Sequence, residues 1–535
     1  MADRAAGRLP GSKFWPVAGS LAASAAFVLS LCLVLGARWE TNDDVAMSMV
    51  AHGYGVGAFG SPNLIFSNVL WGYLVRAIPP INGTLGYSIA TLGVLIIVGA
   101  VLLLGLYRLG EGYVASLSML VLLMARPVLF PQFTLNAGLL LVGAIICWSL
   151  FARHKDRQAL LVGCLLAFAS YLVRRNEFLL ILLVALPLLP WRILLQRRSS
   201  QVSIFALILV MAASTIIDRK AYQGQQWKAF NELNAVREPF NDFGAAAYLK
   251  ERPDILSRYG YSPNDLDLIQ EWFFVDPQIV NPQSMRAMMA ELGPLSSQEN
   301  AVANGWAGIQ TLWDPKLLPL LLTAFLLGLL RPSWQVAASW GLCVGAVFAI
   351  GLSGRPGILR VYVPLVSLLV VAPFLVRQVA DWRNRLAAVV LLVAAVLNAS
   401  FVFAESKTVQ ISVKQAREGL AGFPGDPVVI WGVGFPLEDV YPVIGVSPSE
   451  MSYQFYGLGA FTLAPFSVAF REQQQGRGMI DLLVKENGVP LVAKDKCFGY
   501  LETYCKERLH GEMKELPARQ YGEVVVSRLK CEVGP

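Results

Sequence analysis

Eleven stretches of this chain are apolar over roughly the length needed to cross a lipid bilayer, and that constrains its fold more than any other feature. They lie near residues 17–37, 88–107, 112–130, 134–151, 158–173, 177–195, 201–217, 316–331, 334–352, 358–376 and 386–404. In hydrocarbon each backbone N–H and C=O must be satisfied within its own segment, so the expected architecture is a polytopic α-helical membrane protein. Composition agrees, with 55% hydrophobic and 15% charged residues, against about a quarter charged in soluble domains. Arg4, Arg8 and Lys13 precede the first run as in a signal peptide. That run is long enough to span and has no clear cleavage site, so it reads as a retained helix. The stretch 62–80 is apolar but carries Asn63, Asn68, Arg76 and Pro79-Pro80, and it reads as an amphipathic helix lying on the membrane surface.

The distribution of charge sets the orientation. With the N-terminus inside, the short inner segments hold 14 Lys/Arg against 4 Asp/Glu, whereas the loop 218–315 holds 8 Lys/Arg and 13 Asp/Glu. That is the positive-inside asymmetry. The net charge of +7 therefore reflects membrane sidedness, and no basic stretch interleaved with aromatics suggests nucleic acid as a partner. The expected orientation has a cytoplasmic N-terminus and an outward-facing tail. Domain boundaries follow: a transmembrane region 1–405 with outer loops 38–87 and 218–315, and a soluble domain 406–535.

The tail reads as a small α/β domain. VVIWGVG (428–434) and EVVVSRL (523–529) read as strands, and GVGFP after the first is a plain strand-to-helix turn without a nucleotide-binding pattern. With three histidines and no Cys-x-x-Cys, no zinc-ligand spacing can be built. Cys497 and Cys505 are candidates for a bridge in an oxidising compartment, with Cys531 left over or pairing with one of them. In the long loop, Ser262-Pro263-Asn264-Asp265 has the pattern of a helix start, with Ser262 as cap.

Four outward-facing features carry the chemistry. The first is Glu40-Thr41-Asn42-Asp43-Asp44, directly after the first span; carboxylates at the lip of a membrane helix are costly to hold near lipid and are rarely idle. Asn42 or Asp43 also suits the cap of a short helix from Asp44 to Ala51. The second is Arg174-Arg175-Asn176-Glu177, whose arginines oppose the charge bias and so require an anion: Glu177, the acidic lip or a ligand phosphate. The third is Gly351 to Pro364, with Arg355 and Arg360. The fourth is the long loop with Trp227, Arg237, Asp242, Asp265, Asp267 and Trp272, carboxylates and aromatic faces that suit a sugar. Arginines beside carboxylates at headgroup level point to a lipid-linked phosphate leaving group and a carboxylate that deprotonates a hydroxyl acceptor.

The order of these parts resembles the GT-C superfamily of polyprenyl-phosphate-sugar-dependent glycosyltransferases. Asp43 and Asp44 fall where that family's catalytic acid lies, PNLIFSNVLWGYLVRAI resembles its surface helix, and FPQFTLNAGLLLVG and GILRVYVPLVSLL are similar to its later spans. ETNDDVAMSMVAHGYG with SPNLIFSN is more closely similar to a group of bacterial membrane proteins with an Asn-Asp-Asp motif. The resemblance implies a GT-C-like bundle of about eleven spans with a C-terminal soluble α/β domain. It implies an inverting enzyme that takes a sugar from a polyprenyl-phosphate carrier and gives it to a glycan, lipid or protein acceptor. Asp43 is the expected base with Asp44 as the alternative, and Arg174, Arg175, Arg355 and Arg360 are candidate phosphate ligands. Glu40, Asn42, Trp227, Arg237, Asp242 and Asp265 are candidate substrate contacts. Asp265-Leu266-Asp267 has the spacing of a metal-binding pair, which leaves a divalent metal open. Two other readings stay beside this one: a flippase for a lipid-linked saccharide, and a polymerase or ligase using a lipid-pyrophosphate oligosaccharide.

Overall fold

A computed structural model describes residues 14–293, 301–376, 381–432 and 434–534. Arg4, Arg8, Lys13 and Val433 lie outside the described residues. The membrane part begins with α1 (Phe14–Leu35), and the first loop carries α2 (Asn42–His52) and α3 (Val69–Ala77). The bundle continues through α4 (Gly86–Arg108), α5 (Tyr113–Leu129), α6 (Phe133–His154), α7 (Arg157–Val173), α8 (Arg175–Ala185), α9 (Trp191–Gln196) and α10 (Arg198–Ala221). The long loop folds into α11 (Lys228–Asn234), α12 (Glu238–Asp242), α13 (Ala245–Lys250), α14 (Pro253–Tyr259), α15 (Pro263–Gln270), α16 (Pro282–Leu292) and α17 (Ala301–Gln310). Then come α18 (Leu318–Leu330), α19 (Trp334–Leu352), α20 (Leu359–Val376) and the 39-residue α21 (Asp381–Gly419).

Among the described residues, seven helices are long and apolar enough to cross a membrane, or eight if α17 and α18, bent by 87°, count as one. The other expected spans fall on shorter helices, α5 and α7 with 17 residues each and α8 with 11. The stretch expected to span at 177–195 is broken after Ala185 by Pro187 and Pro190, which cannot donate to a helix ladder. The stretch 62–80 yields only the nine-residue α3, far too short to span. The window of α6 is wholly buried and forms the axis of the bundle, whereas α1 and α10 are only 17% and 11% buried and present leucines and valines outward. Exposed Tyr107, Tyr113, Trp334 and Trp382 cluster at one end of the bundle, as an interfacial aromatic belt does. Together with the length and apolarity of the helices, these faces mark a membrane-embedded protein.

Beyond Gly419 the tail forms a five-stranded sheet of β1 (Val428–Trp431), β2 (Phe455–Leu458), β3 (Val489–Val492), β4 (Gly511–Tyr521) and β5 (Val524–Val533), in the order β2-β1-β3-β5-β4. β1 runs parallel to β2 and β3, while β5 is antiparallel to β3 and β4. The helices α22 (Leu437–Val440), α23 (Pro448–Ser452), α24 (Val468–Gln474), α25 (Met479–Leu483) and α26 (Asp495–Arg508) occupy the connections. α21 runs unbroken through the boundary expected at 405, so the last long apolar helix carries directly into the tail. The long loop and the sheet share one core. Phe273 packs against Trp431 (ring centroids 5.3 Å apart) and Tyr504 (5.4 Å), and Trp431 Nε1 donates to the Glu271 carbonyl at 2.5 Å.

The disulfide joins Cys505 to Cys531, and Cys497 is a buried free thiol. Cys497 and Cys505 are eight residues apart on one helix, about 12 Å along its axis, beyond the reach of a bridge.

Candidate functional site

One end of the bundle gathers the carboxyl ends of α1, α5, α7 and α10 with the amino ends of α4, α6, α8 and α20. The first loop is tied to it by backbone bonds, Arg38 N–H to the Leu129 carbonyl (2.9 Å) and Asn68 N–H to the Leu172 carbonyl (2.8 Å). Short sheet-like contacts join the same loop to the tail: Phe455 N–H donates to the Gly55 carbonyl at 2.9 Å, and Val468 N–H to the Val56 carbonyl at 3.0 Å. The acidic motif therefore sits between the helix ends and the sheet.

α2 starts at Asn42, two residues earlier than expected, and its N-cap Thr41 makes no side-chain capping bond. Instead the Thr41 hydroxyl meets Asp44 Oδ2 at 3.2 Å. The Glu438 carboxylate, from α22 in the tail, lies near the Asn42 N–H at the start of α2. Next to it Arg38 Nε donates to Asp439 Oδ1 at 2.5 Å.

Asp43 and Asp44 have opposite surroundings. Asp44 is fully buried and accepts from the Tyr87 hydroxyl (2.9 Å) and Phe133 N–H (3.0 Å), which fastens α2 to α4 and α6. Burial pushes its carboxyl up to about 8, outweighing the hydrogen bonds and joined by the neighbouring charge of Asp43. Asp43 points the other way, into a cleft, and lies 3.1 Å from Arg360 Nη1. The cleft, open to solvent, holds about 120 Å³ between Asn42, Asp43 and Ala46 on one side and the carboxyl ends of β1 and β2 on the other. A second cavity of about 230 Å³, containing Arg174, Arg175, Asn176 and Asp218, adjoins it, and Phe66 lines both.

Arg174 is half-buried at this end of the bundle. Among the described residues it makes no salt bridge; Nη1 donates to the Phe66 carbonyl at 3.2 Å, and the guanidinium lies 5.2 Å from the Phe133 ring centre and 5.8 Å from that of Phe66. Arg360 and Asp43 are within charge–charge range of it. Glu177 is buried nearby with Oε1 unpartnered, and no ion pair between it and Arg174 or Arg175 forms.

The remaining candidates are committed elsewhere, and none lines the cleft except Asn42. Glu40 receives two bonds from Arg126 (2.9 and 3.2 Å), which also holds Glu405. Arg355 pairs with Asp242 at 2.5 Å and lies over Phe243, so it does not join Asp43. Arg237 stacks on Trp272 (4.6 Å) and is 3.7 Å from Asp242. Trp227 is packed among Tyr222, Phe230 and Phe466. Asp265 completes the capping box with Ser262 and is paired with Arg508, while Asp267 holds Lys250 at 2.5 Å. Asp265 and Asp267 are thus both occupied by cations, and among the described residues no group of three or more His, Cys, Asp or Glu side chains is placed to hold a metal.

Sequence reasoning missed Glu438 and the strand ends. GVGFP was a usable signal, because ligands in open α/β sheets bind outside the carboxyl ends of parallel strands, and Gly432 lies there. Glu438 has no signature at all, since it comes near α2 only once the tail docks. The chain matches no protein-family model and no curated protein. Its function must be argued from this geometry.

Proposed function

We propose that this chain is an inverting, GT-C-like membrane glycosyltransferase whose apolar stretches form about eleven crossings. It would move a sugar from a polyprenyl-phosphate carrier to a cell-envelope glycan, lipid or protein hydroxyl on the outer face. The observation that carries this reading is the pairing of Asp43, the acid of the motif that lines the cleft, with Arg360, near Arg174, which among the described residues makes no salt bridge.

The acceptor hydroxyl gives its proton to the Asp43 carboxylate, and its oxygen bonds to the anomeric carbon from the face opposite the phosphate. The anomeric C–O bond to phosphate breaks with the electron pair leaving on the phosphate, and a single displacement inverts the centre. Arg360 and Arg174 stabilise the departing phosphate. A phosphate that draws Arg360 away from Asp43 also frees the carboxylate to accept the proton. The outward orientation is supported by the charge asymmetry of the loops and by the Cys505–Cys531 disulfide, which persists in an oxidising compartment.

The test is sugar transfer by the purified chain in nanodiscs, supplied with polyprenyl-phosphate sugars and an envelope-lipid extract. Asp43→Asn should lower transfer by about 10²–10⁴-fold, and Arg360→Ala should weaken it while raising the donor KM. Full transfer by Asp43→Asn would overturn the reading. The arginine cavity suits a pyrophosphate carrier as well, and mass analysis of the released carrier separates that polymerase or ligase reading from this one.

A further inference from the structure

We infer that the cleft beside Asp43 is an acceptor site and that its ligand is a neutral saccharide; this rests on the transferase reading above. The two adjoining cavities divide by charge. The one beyond Phe66 holds Arg174 and Arg175 against the single carboxylate of Asp218 and suits phosphate, whereas among the described residues the one ionic side chain lining the cleft is Asp43. Once the donor phosphate draws Arg360 off Asp43, an anionic acceptor would enter against that carboxylate without a cation among the lining residues to meet it. A neutral hydroxyl compound meets a single acceptor group placed to take its proton.

The walls suit a ring with apolar faces. Phe66 and Phe461 stand 5.6 Å apart between centroids at the base, and backbone at Gly432, Gly457 and Gly459 forms the far lip. Aromatic faces bury the C–H faces of a sugar, and exposed backbone groups can bond its hydroxyls. The position, outside the carboxyl ends of two parallel strands, is where open α/β sheets bind small molecules. A peptide would more naturally add as a strand to the free edge of the sheet, but beside the cleft that edge is β2, already bonded to Gly55 of the first loop.

Gly459 supplies the perturbation. A Cβ added there meets nothing within 4 Å, so a side chain has room to begin at this position of the cleft. The full chain in nanodiscs is tested by saturation-transfer NMR with cellohexaose and chitohexaose as neutral probes, oligogalacturonate as the anionic probe and a serine-containing peptide. A neutral probe should bind. Gly459→Leu should weaken it by about tenfold or more, leaving undecaprenyl phosphate binding and the melting temperature unchanged, and Arg175→Ala should do the reverse. Preference of the wild-type chain for oligogalacturonate or peptide overturns the inference without any variant, as does unchanged saccharide binding by Gly459→Leu or, should that variant not fold, by Ala460→Trp. Sugar transfer from the polyprenyl-phosphate donors to the envelope-lipid extract, measured in parallel, tests the transferase reading separately. Its absence with every donor would sink that reading while leaving the saccharide-binding result to stand or fall alone.

Discussion

The two adjacent aspartates give the sharpest prediction, because their surroundings assign them different work. Asp44→Ala strands two buried donors, the Tyr87 hydroxyl and the Phe133 N–H. At about 1–3 kcal/mol for each unsatisfied group, the expected loss is about 2–6 kcal/mol. Asp44→Asn keeps an oxygen for those donors and replaces a carboxyl that is protonated at neutral pH, so its cost should stay within about 1 kcal/mol. Asp43→Asn removes only a partly exposed ion pair, worth about 0–1 kcal/mol, but it should lower transfer by about 10²–10⁴-fold if Asp43 is the base.

The pH dependence carries a sign. The folded Asp44 carboxyl, at about 8, lies above its unfolded value of 3.8, so folding takes up a proton. Its contribution is full below the unfolded value and is lost as pH rises through the folded one, by up to about 1.4 kcal/mol per pH unit. Asp44→Asn does not titrate, so the stability difference between the two proteins should shrink or invert as pH climbs from 5 to about 8. Melting curves followed by tryptophan fluorescence, run beside the transfer assay, measure both quantities. The reasoning fails if Asp44→Asn destabilises as much as Asp44→Ala, or if it is Asp44→Asn rather than Asp43→Asn that silences transfer.

His52 gives the opposite slope: burial, and then the charge of Arg76, depress its ring to about 4, and Nε2 accepts the Tyr87 N–H at 3.1 Å. Its stabilisation is present above the unfolded histidine value and is lost as pH falls through the folded one, so His52→Gln should flatten the melting profile between about pH 6.5 and 4. Reduction of Cys505–Cys531, which closes a separation of 26 residues, should cost the tail about 3–4 kcal/mol in the chain-entropy account. Alkylation after unfolding without reductant should label Cys497 and spare the bridged pair; protection of Cys497 instead would contradict the pairing.

The helical class of the fold was legible because apolar length is a local property, and α1, α4, α6, α10, α19, α20 and α21 fall on runs visible in the sequence. The Ser262 cap was legible for the same reason, since a capping box is written within four residues. The failures are non-local. β2 and β4 escaped notice because Phe455–Leu458 is too short to show alternation and β4 is a mostly polar edge strand. Arg355 and Arg360 look equivalent in sequence, five residues apart, yet one meets Asp242 and the other Asp43, because the long loop closes over the first. The distinction between Asp43 and Asp44 likewise depends on where Tyr87 and Phe133 lie, which the motif does not encode.

The partnership of Asp43 with Arg360 spans 317 positions, and in the proposed mechanism it must open when phosphate arrives. α20 has a built-in means of opening. Pro364 lies inside that helix four residues after Arg360, where a regular helix would donate an N–H to the Arg360 carbonyl. Proline has none, so the first turn of α20 lacks one of its rungs, and Gly354 and Gly357, both with positive φ, precede it. The ring of Pro364 packs on α6 at Gly138, where any Cβ would fall 2.3 Å from it, so the body of α20 is fixed while the turn bearing Arg360 is loosened. Pro364→Ala restores the missing donor. It should raise or preserve the melting temperature, since an interior proline costs about 3 kcal/mol or more in a regular helix, and it should slow transfer by holding Arg360 on Asp43. Transfer at the wild-type rate, with the helix bond regained, would show that Arg360 does not need this freedom and that the ion pair is a fixed strut.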